Sequence, residues 1–307
     1  MKREHGQTQA CWGGIDGVTS VPLFPGIELG YLSLTGDHFS VHHRGSGHIV
    51  VINYCKNGRI GWKMDSGSYI YLGAGDFSVH TLRQDVHSEI SLPTERYEGL
   101  SICIDPAELS ADPPELLSGA GITGSALTEK LCGHEAMRSF GRNEQADAIF
   151  RYFYDQPEDT RLPYQKLKTL ELLLYLYHAE NGSNQCIAEY QAEQIEVIRR
   201  LHQDLLSNLD QRITIEALSK QYLMNPTTMK ALFKSVYGTS IAAHMKEHRM
   251  QEAAKLLAET EMSIAEVALS VGYDSQSKFS TAFKEFFQML PKEYRKSRKQ
   301  LGASTVV

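Results

Sequence analysis

Hydrophobic and polar positions alternate in short runs through the first part of the chain. Between about residues 27 and 104, β-branched and aromatic residues gather in stretches that are separated by Gly, Asn, Asp and Ser. A period of two between turn residues is typical of antiparallel strands. The dipeptide Asn57-Gly58 lies between two such stretches and predicts a tight hairpin turn. We therefore expect an antiparallel sandwich or barrel over residues 27–104.

The hydrophobic period changes after Asp105, where apolar residues begin to recur at helical spacing. The pattern predicts helices over residues 106–118, 124–132, 143–155 and 162–179. In the last helix the apolar stripe consists of Leu167, Leu170, Leu173, Leu174, Leu176 and Tyr177. We expect this stripe to pack on the strands, with any surplus apolar surface pairing with a second subunit. Helix-stopping residues over 179–186 predict a linker at 181–189, between regions 1–180 and 190–300.

The region 190–300 is predicted to be almost wholly helical, and it contains the same arrangement of helices twice. Segments 214–238 and 263–287 each combine a short helix, a tight turn and a second helix with an aromatic-rich face, and a longer helix over 240–259 joins them. The predicted caps are Thr214, Asn225 followed by Pro226, Ser240, and Ser263 with Glu266. The predicted buried stripes are Met229, Leu232, Phe233 and Val236 in the first segment, and Phe279, Ala282, Phe283 and Phe286 in the second.

The opposite faces of these second helices carry short polar and cationic side chains. They are Thr227, Thr228, Lys230, Ala231 and Lys234 in the first segment, and Gln276, Ser277, Lys278, Thr281 and Lys284 in the second. Lys reaches phosphates and guanine edges, Gln can pair with adenine, and Thr can contact the thymine methyl group. The two faces are therefore candidate DNA-binding surfaces, although any pair of amphipathic helices has the same periodicity.

Length and charge indicate two regions of different character. A chain of 307 residues, of which 42% are hydrophobic, can form two hydrophobic cores. The net charge of −6 divides into −9 over residues 1–189 and +3 over residues 190–300. An acidic N-terminal part joined to a mildly basic C-terminal part indicates that the two parts have different functions.

The sequence carries no signal for secretion or membrane insertion. Its charged start is not followed by an apolar core, and the apolar stretch 170–179 is too short to span a bilayer. The five cysteines are scattered without a C-x-x-C pair, which favours reduced, structural thiols. We expect a cytoplasmic protein with no membrane partner.

The order of particular residues in the C-terminal region carries a family resemblance. The second segment reads SIAEVALSVGYDSQSKFSTAFKEFF and is followed by Pro291, Tyr294 and Arg295. The first segment and the joining helix contribute Leu218, Phe233, Lys234, Gly238, Ser240, Arg249, Ala253, Leu256 and Leu257. Over roughly a third of its length, the chain resembles the AraC/XylS family of bacterial transcription regulators.

This resemblance implies that two helix-turn-helix units bind promoter DNA, with RNA polymerase as a further partner. The joining helix would set the two units in successive major grooves, about one helical turn apart. Arg295 and the basic tail after it would contact phosphates. The chain departs from the family at Ala231 and Thr281, where each recognition helix usually has Arg, and at Gln288, where a Gly usually ends the helix. We therefore expect fewer strong guanine contacts.

The resemblance also implies an effector-binding N-terminal region that forms a homodimer. In this family that region is often a cupin-like barrel followed by helices, which here would be residues 27–104 and 106–179. Aromatic residues of the strands are candidates for the ligand-binding lining, namely Tyr54, Trp62, Tyr69, Tyr71 and Phe77. The run 224–257 resembles the pyochelin-type branch of the family, whose members respond to ferric siderophores. We expect a ligand-responsive activator with an aromatic or amphiphilic effector, of which a ferric siderophore is one option.

Other motifs have the spacing of enzyme signatures. His244-x-x-Glu247-His248 matches a class of zinc peptidases, but it lies in the joining helix, where a third ligand is hard to supply. The glycines at 119, 121 and 124 match a dinucleotide-binding fingerprint, but they follow a helical stretch, so we expect a glycine-rich turn. Histidines in or beside the strands are His42, His43, His48, His80 and His87, without the compact spacing of metal-binding cupins. We expect no catalytic residue, metal or cofactor.

Two rival interpretations remain open at this stage. The first is a ligand-independent regulator whose N-terminal region only dimerises. The second is a cupin-type metalloenzyme fused to a DNA-binding region, which would hold a stoichiometric metal through residues such as His42 and His87.

Overall fold

A computed structural model describes Trp12 and residues 15–43, 49–64, 66–82, 86–133, 137–179 and 187–303. The chain forms two compact units, residues 1–191 and 192–307. Most of the predicted linker 181–189 lies outside the described residues. The first unit combines a sheet with helices and the second is helical, so the predicted α+β class is confirmed. Among the described residues, no helix is both long enough and apolar enough to cross a membrane.

The described strands of the first unit pair with antiparallel neighbours throughout. They are β1 (Val18–Phe24), β2 (Ile27–Thr35), β3 (His38–His43), β4 (Ile49–Lys63), β5 (Tyr69–Gly73), β6 (Phe77–Leu82), β7 (Val86–Ser91), β8 (Arg96–Ile104) and β9 (Met137–Phe140). The main path through the sheet runs β1-β2-β8-β4-β6-β9, and β7 joins β3 to β4. β1 lies before the predicted strand region. It is an edge strand in which only Leu23 is buried, and this weakens its hydrophobic pattern.

The hairpin predicted at Asn57-Gly58 is wrong. Residues 49–63 form one continuous strand, whose first part pairs with β6 and β8 and whose last part pairs with β5 and β7. The pairing with β8 shifts register between Cys55 and Asn57, and Gly58 has a left-handed φ of +78°. A Cβ atom on Gly58 would lie 2.0 Å from the Arg96 carbonyl oxygen. Asn-Gly therefore marks a bulge that bends the strand, since bulges and tight turns require the same left-handed backbone.

Helices cover one face of the sheet in the first unit. They are α1 (Pro106–Ala111), α2 (Glu115–Gly119), α3 (Gly124–Cys132), α4 (Glu144–Arg151) and α5 (Arg161–His178). Ile52 and Ile102 of the sheet are buried in one core with Phe150 and Leu173 of the helices. The opposite face of the sheet contributes to a second core, which contains Leu72.

Two tyrosines of the sheet hold the helical layer by hydrogen bonds. The Tyr54 hydroxyl donates to Asp147 Oδ1 at 2.7 Å, which joins β4 to α4. The Tyr31 hydroxyl donates to the Phe153 carbonyl oxygen at 2.6 Å, just after α4. Buried polar groups must be paired to avoid a desolvation penalty, so these bonds fix where the helices lie on the sheet.

The apolar stripe predicted on α5 differs from the buried face of the helix. Leu170, Leu173 and Leu176 are buried as expected, but Leu167 is 52% exposed. Leu172, which the predicted stripe omitted, is fully buried. The buried face of α5 is set by the helices and the strand packed around it, which helical spacing alone does not reveal.

Cysteines differ in state among the described residues. Cys55 and Cys132 are free and buried, whereas Cys103 is disulfide-bonded. The expectation of reduced thiols is therefore wrong for Cys103, because spacing along the chain does not reveal which sulfur atoms meet in the fold.

The second unit is built from helices joined by short turns. They are α6 (Ala192–Ser207), α7 (Ile215–Gln221), α8 (Pro226–Tyr237), α9 (Ile241–Glu259), α10 (Ile264–Ser270), α11 (Gln276–Phe287) and α12 (Pro291–Ala303). Each predicted cap accepts a backbone hydrogen bond in the first turn of its helix: Thr214, Asn225, Ser240 and Ser263. Glu266 completes the predicted capping box with Ser263.

α9 takes part in the packing of both helix pairs, α7–α8 and α10–α11. Towards its C-terminal end, Met250 and Leu257 are buried in one core with Phe279 and Phe283 of α11. Nearer its start, the His244 ring meets the Phe233 ring of α8 edge to face, with centroids 5.4 Å apart. Because one helix packs on both pairs, it fixes the separation between them.

The buried stripe of α11 differs from the prediction at one position. Phe279, Ala282 and Phe283 are buried, but Phe286 is 40% exposed. Phe287 packs instead, with its ring centroid 4.6 Å from that of Phe283 and 5.2 Å from that of Tyr294. α12 packs against the end of α11 and shifts the buried face by one residue.

Candidate nucleic-acid interface

α8 presents the polar and cationic side chains predicted for it. Thr227, Thr228, Lys230, Ala231 and Lys234 are all exposed. The four predicted stripe residues on the other face are buried: Met229, Leu232, Phe233 and Val236. The helix begins at Asn225, whose Oδ1 accepts the Thr227 N–H at 2.8 Å, and ends at Gly238 with a φ of +81°. A short, well-capped helix therefore holds these side chains outward on a packed base.

α11 repeats this arrangement in the second pair. Gln276, Ser277, Lys278, Thr281 and Lys284 are exposed. The Ser275 hydroxyl caps the helix by accepting the Lys278 N–H at 3.3 Å. An open groove of about 540 Å³ runs along the exposed side of the helix, from Ser277 to Leu290. Gln288 ends the helix with a left-handed φ of +59°, a conformation that Gly adopts more readily.

Positive charge on these two faces is not neutralised by neighbouring acids. Within the described part of the chain, Lys230, Lys234, Lys278 and Lys284 form no ion pair. The neighbouring carboxylate of Glu285 is already bound by Lys246, with Nζ and Oε2 3.0 Å apart. The four ammonium groups are thus available to an external polyanion.

Arg295 differs from the other predicted DNA-binding residues. Its side chain is only partly exposed, and its Nε donates to the Leu257 carbonyl oxygen at 3.2 Å. This bond ties α12 to the end of α9. Lys296 and Arg298 of the basic tail are exposed.

Two arginines, which the sequence did not indicate as site residues, form hydrogen bonds that hold together segments next to the helix pairs. Arg249 of α9 donates to the Leu209 and Gln211 carbonyl oxygens, each at 2.8 Å. Arg212 donates to the Gly272 carbonyl oxygen at 3.1 Å, in the turn between α10 and α11. Arg249 belongs to the family pattern, but no local signal indicates Arg212, because its partner lies 60 residues away along the chain.

Three histidines of the second unit lie close together, so the expectation that a third ligand is hard to supply beside His244 and His248 is wrong. His202 of α6 supplies it, with its Nε2 2.8 Å from His244 Nε2. His248 Nε2 lies 3.1 Å from His244 Nε2. Burial, followed by the neighbouring His248, lowers the pKa of His202 to about 4 and that of His244 to about 3. Both rings are therefore neutral near pH 7.

The five aromatic residues predicted to line one ligand site are not brought together. Tyr54 and Phe77 are buried between the sheet and the helices, and Trp62 packs against the core on the opposite face. Tyr69 and Tyr71 stack with centroids 6.2 Å apart, on the face of β5 opposite to that of Trp62. Successive residues of a strand point to opposite faces, and the choice of inward face could not be made where both sets are apolar.

The remaining enzyme-like motifs have structural roles or fall outside the described side chains. Gly121 has a φ of +70° and donates to the Ser118 carbonyl oxygen at 3.0 Å, so the glycine-rich segment forms the predicted turn between α2 and α3. His80 lies half-buried on β6. The side chains of His42, His43, His48 and His87 lie outside the described part.

The chain is similar to several known proteins. A family model described as a helix-turn-helix domain matches residues 218–297. The chain is 37% identical over 82 residues to the HTH-type transcriptional regulator AlkR of Acinetobacter baylyi, covering 27% of each protein. It is 30% identical over 121 residues to the Transposon Tn10 TetD protein of Escherichia coli, covering 39% of this chain and 88% of TetD. The solved C-terminal domain of AraT, a response regulator from Geobacillus stearothermophilus, is 35% identical, with coverage of 33% and 85% and a TM-score of 0.33.

The extent of these matches differs between relatives. The chain spans about a quarter of AlkR but most of TetD. The matched residues 218–297 begin within α7 and end within α12, so they include the two exposed helix faces and most of the frame that carries them. On these grounds the chain belongs to the AraC/XylS family of transcription regulators.

Proposed function

We propose that this protein is a ligand-responsive transcription activator that binds promoter DNA through two helix-turn-helix units, α7–α8 and α10–α11. The observation that carries the proposal is the pair of exposed cationic helices, α8 and α11, on either side of one shared helix. α9 has 19 residues. At 1.5 Å per residue it is about 28 Å long, close to the roughly 34 Å that separates successive major grooves. α8 and α11 would then enter adjacent major grooves on one face of the duplex.

Individual contacts follow from side-chain chemistry. Lys230, Lys234, Lys278 and Lys284 would neutralise phosphates, while Gln276 would pair with adenine. Thr227, Thr228, Ser277 and Thr281 would contact base edges, including thymine methyl groups. Without arginine at positions 231 and 281, readout would depend more on A·T pairs than on guanine. Arg295 would position α12 on α9, because its Nε is already bonded to the Leu257 carbonyl oxygen.

The first unit would act as the sensing and dimerising part. We propose a domain over residues 1–180 with a cupin-like barrel, a linker at 181–189 and a DNA-binding domain over 190–300. An aromatic or amphiphilic effector, with a ferric siderophore as one option, would bind inside the barrel beside Trp62, which packs on the interior core. Exposed apolar residues on α5, Leu162 and Leu167, favour this helix as the homodimer contact. RNA polymerase would be recruited in the cytoplasm once the dimer is on the promoter.

Footprinting on the DNA upstream of the protein's own gene and of its neighbours tests DNA binding. We expect each protomer to protect two segments whose centres are about 10 base pairs apart on one face of the duplex. Absence of protection at low ionic strength, with and without cell extract as a source of effector, would overturn the proposal.

Thermal unfolding of the full chain tests the sensing role. Ferric siderophores, bile acids, aromatic acids and sugars are added in turn, and a true effector raises the first unit's melting temperature. The Trp62→Ala variant should lose the shift while keeping its DNA affinity. Promoter occupancy that is complete without ligand, together with no shift for any compound, would favour a ligand-independent dimeric regulator.

A further inference from the structure

Three imidazole nitrogens converge where α6 meets the first half of α9. The Nε2 atoms of His202 and His248 lie 2.8 and 3.1 Å from His244 Nε2. All three ligand atoms lie within 4.8 Å of one another. His244 and His248 are one turn apart on α9, and His202 comes from 42 residues earlier in the chain. Three nitrogens from two helices therefore point at one small volume.

Hydrogen bonding alone does not satisfy this arrangement. A neutral imidazole nitrogen carries either one N–H or one in-plane lone pair. His244 Nε2 lies at hydrogen-bond distance from two other imidazole nitrogens, so one direct bond satisfies only one of its contacts. The second contact has to share the same hydrogen atom or the same lone pair, so the two bonds compete. A cation between the rings would accept three lone pairs at once.

The spacing suits a first-row divalent metal. With Zn–N bonds of about 2.0–2.1 Å and tetrahedral angles, ligand nitrogens lie about 3.3 Å apart. The observed separations of 2.8 and 3.1 Å need to open by only a few tenths of an ångström. Imidazole nitrogens are preferred ligands of Zn²⁺, Cu²⁺ and Ni²⁺, and only neutral rings can bind.

Aromatic side chains at the end of α8 hold the rings in place. The Tyr237 ring stacks on His202, with centroids 4.1 Å apart and planes 24° apart. Phe233 packs against the His244 ring at 5.4 Å. His244 is buried, whereas His202 and His248 are partly exposed, so an ion could enter from solvent and keep a water molecule as its fourth ligand.

We propose that His202, His244 and His248 form a binding site for one Zn²⁺ or similar transition-metal ion. The ion would link α6 to α9 next to α8. The site lies inside the DNA-binding unit and is independent of any effector in the first unit. Bound metal would cross-link α6 and α9 more strongly than the contact between His202 and His244 does, and it would therefore stabilise the unit that carries α8.

Metal titration of the full-length chain tests the site. The protein is prepared without a polyhistidine tag, stripped with a chelator and exchanged into chelator-free buffer. We expect one Zn²⁺ per chain to remain after desalting, and one Co²⁺ to give the visible absorption of a tetrahedral ion. Zn²⁺ should raise the melting temperature of the second unit by mass action.

Variants separate this site from adventitious binding. His202→Gln and His248→Gln each remove one partly exposed ligand and should weaken Zn²⁺ binding at least about tenfold. Each variant should also lose the rise in melting temperature that Zn²⁺ gives relative to chelator. His178→Gln, at the exposed end of α5, is the matched control and should bind as the wild type does. His244→Gln removes the central ligand, and should it fail to fold, the other two variants decide. Failure of the wild type to retain Zn²⁺, or wild-type affinity in both His202→Gln and His248→Gln, would overturn the proposal.

Discussion

Removing the exposed lysines of α8 and α11 should change how DNA affinity depends on salt. Each phosphate contact releases counterions, and the slope of log K against log salt is about −0.9 per contact. If Lys230, Lys234, Lys278 and Lys284 each contact a phosphate, the four together contribute about −3.6 to that slope. Between 50 and 200 mM salt this amounts to about a 150-fold loss of affinity, of which one lysine accounts for about 3.5-fold.

The assay is fluorescence anisotropy on a short promoter duplex over that salt range. We expect Lys278→Ala to flatten the slope by about 0.9, and the fourfold alanine variant to flatten it by about 3.6. Affinity losses should be largest at low salt and equal on specific and unrelated duplexes, because phosphates carry no sequence information. Lys255→Ala is the matched control, since Lys255 is exposed on α9 but belongs to neither recognition helix. An unchanged slope in the fourfold variant, or an equal change in Lys255→Ala, would refute the assignment.

Three further predictions concern stability, each measured by thermal or denaturant unfolding. Gly58→Val should lower the free energy of unfolding of the first unit by about 2–5 kcal/mol. The valine would have to adopt a left-handed backbone, and its Cβ would lie 2.0 Å from the Arg96 carbonyl oxygen. An unchanged unfolding midpoint would contradict the bulge. Ser263→Ala removes the cap of α10 and should cost about 1 kcal/mol, whereas Ser297→Ala, outside any cap, should cost less. Gln288→Gly should stabilise the second unit by about 0.5 kcal/mol. Gly adopts the left-handed backbone without strain, and this gain exceeds the loss of the exposed hydrogen bond from Gln288 Nε2 to the Glu285 carbonyl oxygen. Destabilisation would show that the hydrogen bond contributes more than the relief of strain.

Local order in the second unit could be predicted from the sequence in detail. The caps at Asn225 and Ser240, the capping box of Ser263 and the outward faces of α8 and α11 all follow from interactions within about four residues. The start of a helix can be predicted from the residues of its first turn alone, and its buried stripe from the spacing of its apolar residues. The candidate DNA-binding surface could therefore be predicted residue by residue, apart from Phe286 and Arg295, whose surroundings depend on α12.

Tertiary structure decided the features in which distant segments meet. Asn57-Gly58 requires a left-handed backbone in a hairpin or a bulge alike, and only the pairing of β4 with four neighbouring strands selects the bulge. Trp62 and Tyr71 are both aromatic strand residues, yet the pleat sends them to opposite faces. His202 joins His244 only because α6 packs on α9. Sequence patterns record the local period of burial, whereas the identity of the partner across a core is set by the packing of the whole unit.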